Sequence, residues 1–139
     1  MNDLNVALGL VVKHYTGLFD KNGKPAILHP LTVGCSMESK EEKIVGLLHD
    51  IVEDGYVTLD ELRVLFDSQV VEAILILTHD KKYSYEEYID SIKNSNNTIA
   101  IRVKITDIQH NLVRGKEGGH KDLVLKHTKA FRKMTSIEP

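Results

Sequence analysis

The sequence predicts an all-α fold, a compact bundle of about eight helices. Apolar residues recur at helical spacing, glycine and proline fall between the periodic segments, and no run alternates as a half-buried strand does. Three Ser/Thr-x-x-Glu boxes announce helix starts: Ser39–Glu42, Thr58–Glu61 and Ser84–Glu87. The chain has 139 residues, 42% hydrophobic and 27% charged, which suits one soluble domain with a real core.

The elements follow in order. A first helix over about 3–19 runs up to the loop Lys21-Asn22-Gly23-Lys24. Pro30 suits the first turn of a helix over 30–38 and biases His29 away from the α region, which puts His29 at a loop-to-helix junction. The Ser39 box opens a helix over 40–53, and Asp54-Gly55-Tyr56-Val57 follow as a loop. The Thr58 box opens 59–66. A fifth helix, 68–78, closes at Leu77-Thr78, and 79–83 form a loop. The Ser84 box opens 85–95. A seventh helix over 97–113 carries the stripe Ile101, Ile105, Ile108 and Leu112. Gly115 to Gly119 read as a flexible connection to a last helix over 120–134. Gly118-Gly119-His120-Lys121 follow no strand, so they are not a phosphate loop.

A formal net charge of −2 makes no bulk electrostatic case for nucleic acid or a membrane surface. The single Cys35 excludes an internal disulfide and is compatible with a reducing compartment; beside Val33 and Met37 it reads as a packed thiol. No apolar stretch approaches a membrane span, and the first residues lack a signal peptide's basic and apolar regions, so a cytoplasmic location is expected.

The chemistry concentrates in Leu47-Leu48-His49-Asp50-Ile51-Val52-Glu53-Asp54. On a helix, His49, Asp50, Glu53 and Asp54 fall at about 0°, 100°, 40° and 140°, one polar face beside an apolar arc of Val45, Leu47, Leu48, Ile51 and Val52. A solvated acidic face is the ordinary meaning of such a pattern. Imidazole with carboxylate also suits a borderline or hard divalent metal. Two further candidate ligands stand elsewhere: His29, otherwise a hydrogen-bonded structural histidine, and Asp107, which borders the stripe of its helix. A half-buried carboxylate needs a partner, either a metal or a Lys/Arg ion pair.

These residues resemble a known family. The order His29, His49-Asp50, Asp107 is similar to the H…HD…D signature of HD-superfamily metal-dependent phosphohydrolases. His-Asp-x-x-Glu-Asp at 49–54, Leu28-His29-Pro30-Leu31 and Lys104-x-x-Asp107-x-x-His110-Asn111 resemble the hydrolase domains of RelA/SpoT-type alarmone enzymes and their small stand-alone relatives. Thr58-Leu59-Asp60-Glu61-Leu62 and Leu77-Thr78 fit the same layout, so the resemblance spans roughly residues 10–115.

The resemblance implies a single HD-domain bundle over residues 1–139, without the synthetase half of the long members. It implies one divalent cation, Mn²⁺, held by His29, His49, Asp50 and Asp107. Glu53 and Asp54 would position or deprotonate the attacking water. Lys21 could bind phosphate as a point charge, and Asn111 a ribose or a metal-ligated oxygen. The implied activity is that of a guanosine-3′,5′-bis(diphosphate) 3′-pyrophosphohydrolase, with a small nucleotide as partner. The alternatives are an HD nucleotidase of another specificity and a non-catalytic nucleotide sensor. His14, His79, His110, His120 and His127 lack ligand spacing and are expected to be non-ligands.

One segment departs from the family. Its nucleotide-binding loop reads Arg-Lys-Ser-Gly-x-Pro-Tyr, and here the run is Asp20-Lys21-Asn22-Gly23-Lys24-Pro25-Ala26. The family's Arg packs on the guanine base. A carboxylate cannot do so and repels phosphate, so Asp20→Arg is expected to improve the alarmone reaction through a lower KM.

Overall fold

A computed structural model describes residues 3–136. It is all-helical, with eight helices and no strand among the described residues. They are α1 (Asp3–Tyr15), α2 (Leu28–Cys35), α3 (Lys40–Leu48), α4 (Leu59–Leu65), α5 (Ser68–Leu77), α6 (Tyr85–Lys93), α7 (Thr98–Glu117) and α8 (Lys121–Thr135). No described helix is long and apolar enough to cross a membrane.

The three boxes cap their helices reciprocally. Ser39, Thr58 and Ser84 each accept from the backbone N–H three residues on, and Glu42, Glu61 and Glu87 reach back to the cap N–H. Each box satisfies two of the four N–H groups that a helix start leaves open.

Short α3 lies at the centre, packed on α1, α2, α5 and α7. Its Ile44, Val45 and Leu48 join Val11, Val33, Ile74, Val103 and Ile108 in a core with essentially no solvent access. Two glycines let α2 and α3 meet backbone to backbone. A Cβ on Gly46 would stand 2.9 Å from the Gly34 Cα, and one on Gly34 would stand 2.6 Å from the Leu47 Cγ. This close approach sets the spacing between the segments that carry His29 and His49.

Three helix ends differ from the sequence reading by four residues or more, and α2 begins at Leu28 rather than 30, so His29 lies in its first turn and not in the preceding loop. Helix α1 stops at Tyr15, where Gly17 turns the chain at φ +86°, and an isolated bridge joins Phe19 to Pro25 around the next loop. Helix α3 ends at Leu48, so the four ionisable groups of 49–54 do not share one regular helix face. The cause is local: His49 Nδ1 lies 2.6 Å from the Gly46 carbonyl oxygen and donates to it, taking the acceptor that a continuing helix would offer to Asp50. Residues 49–56 proceed instead as turns, with Ile51 N–H on the Leu48 carbonyl and Asp54 N–H on the Asp50 carbonyl. Helix α7 runs four residues beyond 113. Its Gly115 is buried, and a Cβ there would come 3.1 Å from Val124 of α8, so helix contact keeps a glycine helical. The expected flexible connection is a tight turn, closed by the His120 N–H on the Gly115 carbonyl.

Cys35 is exposed rather than packed. Val33 and Gly34 take the inner face, and two residues carry the chain about 200° round the helix from Val33.

Candidate metal centre and adjoining pocket

Three separate segments bring His29, His49, Asp50 and Asp107 together. Each offers one ligand atom, and the four atoms lie within 4.8 Å of one another. His29 is in the first turn of α2, His49 caps α3, Asp50 follows it, and Asp107 is in the middle of α7. His29, His49 and Asp107 are buried, while the Asp50 side chain keeps 39% of its exposure. The cluster thus opens to solvent on the Asp50 side.

Asp107 is the hub. Its Oδ2 accepts from Lys104 Nζ at 2.9 Å. Its Oδ1 lies 2.8 Å from His29 Nε2 and 3.3 Å from His49 Nε2, and accepts from Asn111 Nδ2 at 3.1 Å. Of the two partners foreseen for this carboxylate, the ion pair is in place on one oxygen; two imidazoles converge on the other. Burial pushes the Asp107 carboxyl up, but Lys104 and His49 outweigh it and hold it well below the usual range.

The two imidazoles differ. Burial outweighs the pull of Asp107 at His29 and lowers its pKa, favouring the neutral ring. Burial also lowers His49, but Asp50 and Asp107 carry it well above its ordinary value. His49 Nδ1 already donates to Gly46, so the neutral ring turns a lone pair toward two carboxylates, with Asp50 Oδ2 at 3.1 Å. His49 Nε2 is buried and has no aligned hydrogen-bond partner. That atom needs a cation in front of it, a proton or a metal. Nitrogen and oxygen donors without thiolate suit a divalent ion of the manganese or magnesium type better than a soft one. The four residues therefore fit a metal and could hold one.

Residues that sequence reasoning passed over steady this set. His110, one turn beyond Asp107, lies outside the four-residue cluster; its Nδ1 lies 2.7 Å from His29 Nδ1, with the rings 7° from parallel. Partners of this kind orient a ligating imidazole. The spacing of three from Asp107 was its available signal. Glu53 and Asp54 stand on the turn after Asp50. Glu53 accepts from His79 N–H at 2.9 Å and from Lys81 Nζ at 3.3 Å. Asp54 accepts from the Tyr15 hydroxyl at 2.7 Å. Burial first, then Asp50 and Glu53, raise the Asp54 carboxyl despite that bond. Burial and the facing Asp54 raise the Tyr15 hydroxyl as well. Nothing in the sequence near Tyr15 indicates this pairing across 39 residues.

Three lysines lie near one another beyond Tyr85 and Glu53. Lys126 Nζ sits 4.1 Å from the centroid of the Tyr85 ring; burial, with Lys104, Lys81 and Lys21 nearby, lowers its pKa. Lys21 is exposed and lines a cavity of about 360 Å³ shared with Phe19, Asp20, Asn111, Arg114 and His127. Asn111 is the common wall, since its amide donates to Asp107 and its oxygen accepts from Arg114. Asp20 is not a free carboxylate in this cavity. Its Oδ1 accepts from the Asn22 and Lys24 N–H groups at 2.8 and 3.0 Å, and its Oδ2 lies 3.8 Å from Arg114 Nη1. Those backbone bonds, and then Arg114, lower its pKa. The negative charge expected to repel phosphate is largely offset.

No family model matches the chain. Over 116 residues, 72% of the chain, it is 31% identical to a GTP pyrophosphokinase of Myxococcus xanthus. Over 122 residues, 76% of the chain, it is 29% identical to a guanosine-3′,5′-bis(diphosphate) 3′-pyrophosphohydrolase of Borreliella burgdorferi. The chain spans 15% and 18% of the lengths of these relatives. This weak homology supports a relation to the RelA/SpoT-type family.

Proposed function

We propose that the chain is a metal-dependent phosphohydrolase that cleaves a phosphate ester of a nucleotide, with guanosine-3′,5′-bis(diphosphate) as the first substrate to test. In this reading residues 1–139 form one HD-type domain. The supporting observation is the convergence of four nitrogen and oxygen ligand atoms within 4.8 Å of one another, in a chain homologous to a protein named as a 3′-pyrophosphohydrolase.

His29, His49, Asp50 and Asp107 hold the cation, taken as Mn²⁺. When bound, it supplies Lewis acidity toward a phosphoryl oxygen and makes a water more acidic. The chain's own groups do the rest. Glu53 and Asp54 orient the attacking water and take its proton. Tyr15 holds the Asp54 carboxylate in place through its hydroxyl. Lys104 neutralises Asp107 from behind, so this ligand remains a carboxylate although buried. Lys21, Lys81 and Lys126 form the cationic side from which a polyphosphate is held. Asn111, tied to both Asp107 and Arg114, meets the sugar side of the substrate. A second reading keeps the chemistry and changes the base; Asp20 and Ala26, where the family loop has Arg and Tyr, favour it.

The test is purified protein stripped of metal, then assayed with Mn²⁺ or Mg²⁺ on a panel of nucleotides that includes guanosine tetraphosphate. Release of pyrophosphate or phosphate only with metal is expected. Glu53→Gln should bind Mn²⁺ like the parent by calorimetry and turn over about 10²-fold more slowly or worse. A parent that binds no metal, or hydrolyses nothing on the panel, ends the enzymatic reading.

A further inference from the structure

Residues 19–25 close on themselves. The Asp20 N–H donates to the Lys24 carbonyl at 2.8 Å, the Gly23 N–H donates to the Asp20 carbonyl at 3.0 Å, and Asp20 Oδ1 takes the N–H groups of Asn22 and Lys24. The loop therefore keeps its own shape, and what remains to be fixed is how it sits against the helices. Lys21 lines both the cavity beside Asn111 and a second cleft beside Glu117, so the seating of the loop decides which of the two its ammonium serves.

The ties from the loop to residues 114–120 are unequal. Lys24 pairs with Glu117 at 3.0 Å, but both side chains are about half exposed, and such a pair holds little. Arg114 Nη1 stands 3.8 Å from Asp20, beyond hydrogen-bond distance. The Asn22 amide is different. Its Nδ2 donates to the Arg114 carbonyl at 2.9 Å, and its Oδ1 lies 2.9 Å from His120 Nε2. A carbonyl only accepts, so the amide nitrogen faces Arg114 and the amide oxygen faces His120, whose Nε2 then carries the proton and donates. One side chain is thus clamped at both ends, by the last turns of α7 and by the N-cap of α8.

Gly118 leaves room for this clamp. Its φ of −88° is open to any residue, so backbone conformation does not ask for a glycine. A Cβ there would stand 2.1 Å from Asn22 Oδ1 and 2.5 Å from His120 Nε2, on the hydrogen bond itself. A side chain at 118 and the clamp exclude one another.

We infer that Asn22, Gly118 and His120 form a latch that seats Lys21 toward the cavity beside Asn111, and that they are positioning residues for the phosphate end of the substrate. The inference rests on the hydrolase reading above, in which Lys21 holds phosphate, and adds what holds Lys21. The three act through that lysine and touch no substrate themselves.

The test uses the full chain and four variants. His120→Ala removes the donor, Gly118→Ala pushes the Asn22 amide aside, Asn22→Ala removes the amide, and the fourth combines Gly118→Ala with Asn22→Ala. Trypsin cleavage after Lys21 reads the loop without turnover, since Pro25 protects Lys24 from the protease. Thermal unfolding shows that each variant is folded, and His120→Ala carries the test should Gly118→Ala not fold. Cleavage should be about tenfold faster in each single variant, as local opening becomes easier. Gly118→Ala should add nothing once Asn22 is alanine. With metal and the best nucleotide, KM should rise about 3- to 10-fold at near-parental kcat, as expected for one lost hydrogen bond in uniform binding. Affinity for inorganic pyrophosphate should fall by the same factor.

Parental cleavage rates in His120→Ala and Gly118→Ala overturn the latch. So do parental KM and pyrophosphate affinity in variants whose loop is cleaved faster, and so does a Gly118→Ala effect that persists without Asn22. A parent that hydrolyses nothing but binds pyrophosphate in a latch-dependent way ends the hydrolase reading alone. A working hydrolase whose KM ignores the latch ends the latch alone. A parent that neither hydrolyses a nucleotide nor binds pyrophosphate ends both.

Discussion

The middle of α7 and its last turns are built on opposite terms. Around Asp107 the helix is sealed: Lys104, His29, His49 and Asn111 converge on one buried carboxylate. Around Arg114 it is open, with a guanidinium held loosely by Asp20 and a neighbouring imidazole unpaired. The difference follows from burial. A charge removed from water must be matched at once, so the Asp107 end tolerates little change. A half-exposed cavity leaves its rim within reach of water, so the Arg114 end tolerates more change.

The contrast is tested most severely at Asp107. Asp107→Asn should abolish metal binding and activity, and it should leave the buried Lys104 without a counter-charge. Stranding one partner of a buried pair costs about 3–5 kcal/mol. Adding Lys104→Met should restore most of that stability without restoring metal. Denaturant unfolding and metal analysis of the parent, single and double variants check both statements. Metal affinity surviving in Asp107→Asn would remove the hub from the site.

His127 probes the open end through pH. Its folded pKa of about 4 lies below the ordinary value of 6.5, so the unfolded chain takes the proton first. The stability it contributes is therefore complete above about pH 6.5 and is lost as pH falls toward 4. His127→Gln should flatten this slope by on the order of 2 kcal/mol between the two limits. Equal slopes in parent and variant would mean that the ring titrates normally.

Asp20→Arg is the mildest change and the sharpest test of the loop. The structure reverses the expectation of improved alarmone turnover. Arginine here removes the acceptor for two backbone N–H groups and places a second guanidinium against Arg114. A loss of about 1–2 kcal/mol in stability is expected, together with a raised rather than lowered KM. Kinetics and thermal unfolding of the one variant decide between the two views.

Local signals were the legible ones. The capping boxes at Ser39, Thr58 and Ser84 involve residues three apart, so the sequence displays both partners side by side. The four candidate ligands were legible for another reason: imidazole and carboxylate types in a recognisable order suffice to nominate them. Their convergence within 4.8 Å then follows from the packing of α2, α3 and α7. Boundaries were harder to read where tertiary contact or a side chain competes with the ladder, as at Gly115 against Val124 and at His49 on the Gly46 carbonyl.

The sequence by itself determined the helical class, the helix starts and the candidate ligands, because periodicity, caps and ligand types are properties of neighbouring residues or of residue chemistry. Only the tertiary structure decided that His110 steadies His29, that Tyr15 holds Asp54, and that Asp20 faces Arg114. These partners are distant in the chain and meet only when α1, α2 and α7 pack around α3. A pairing is a property of two surfaces brought together, and neither segment carries it alone.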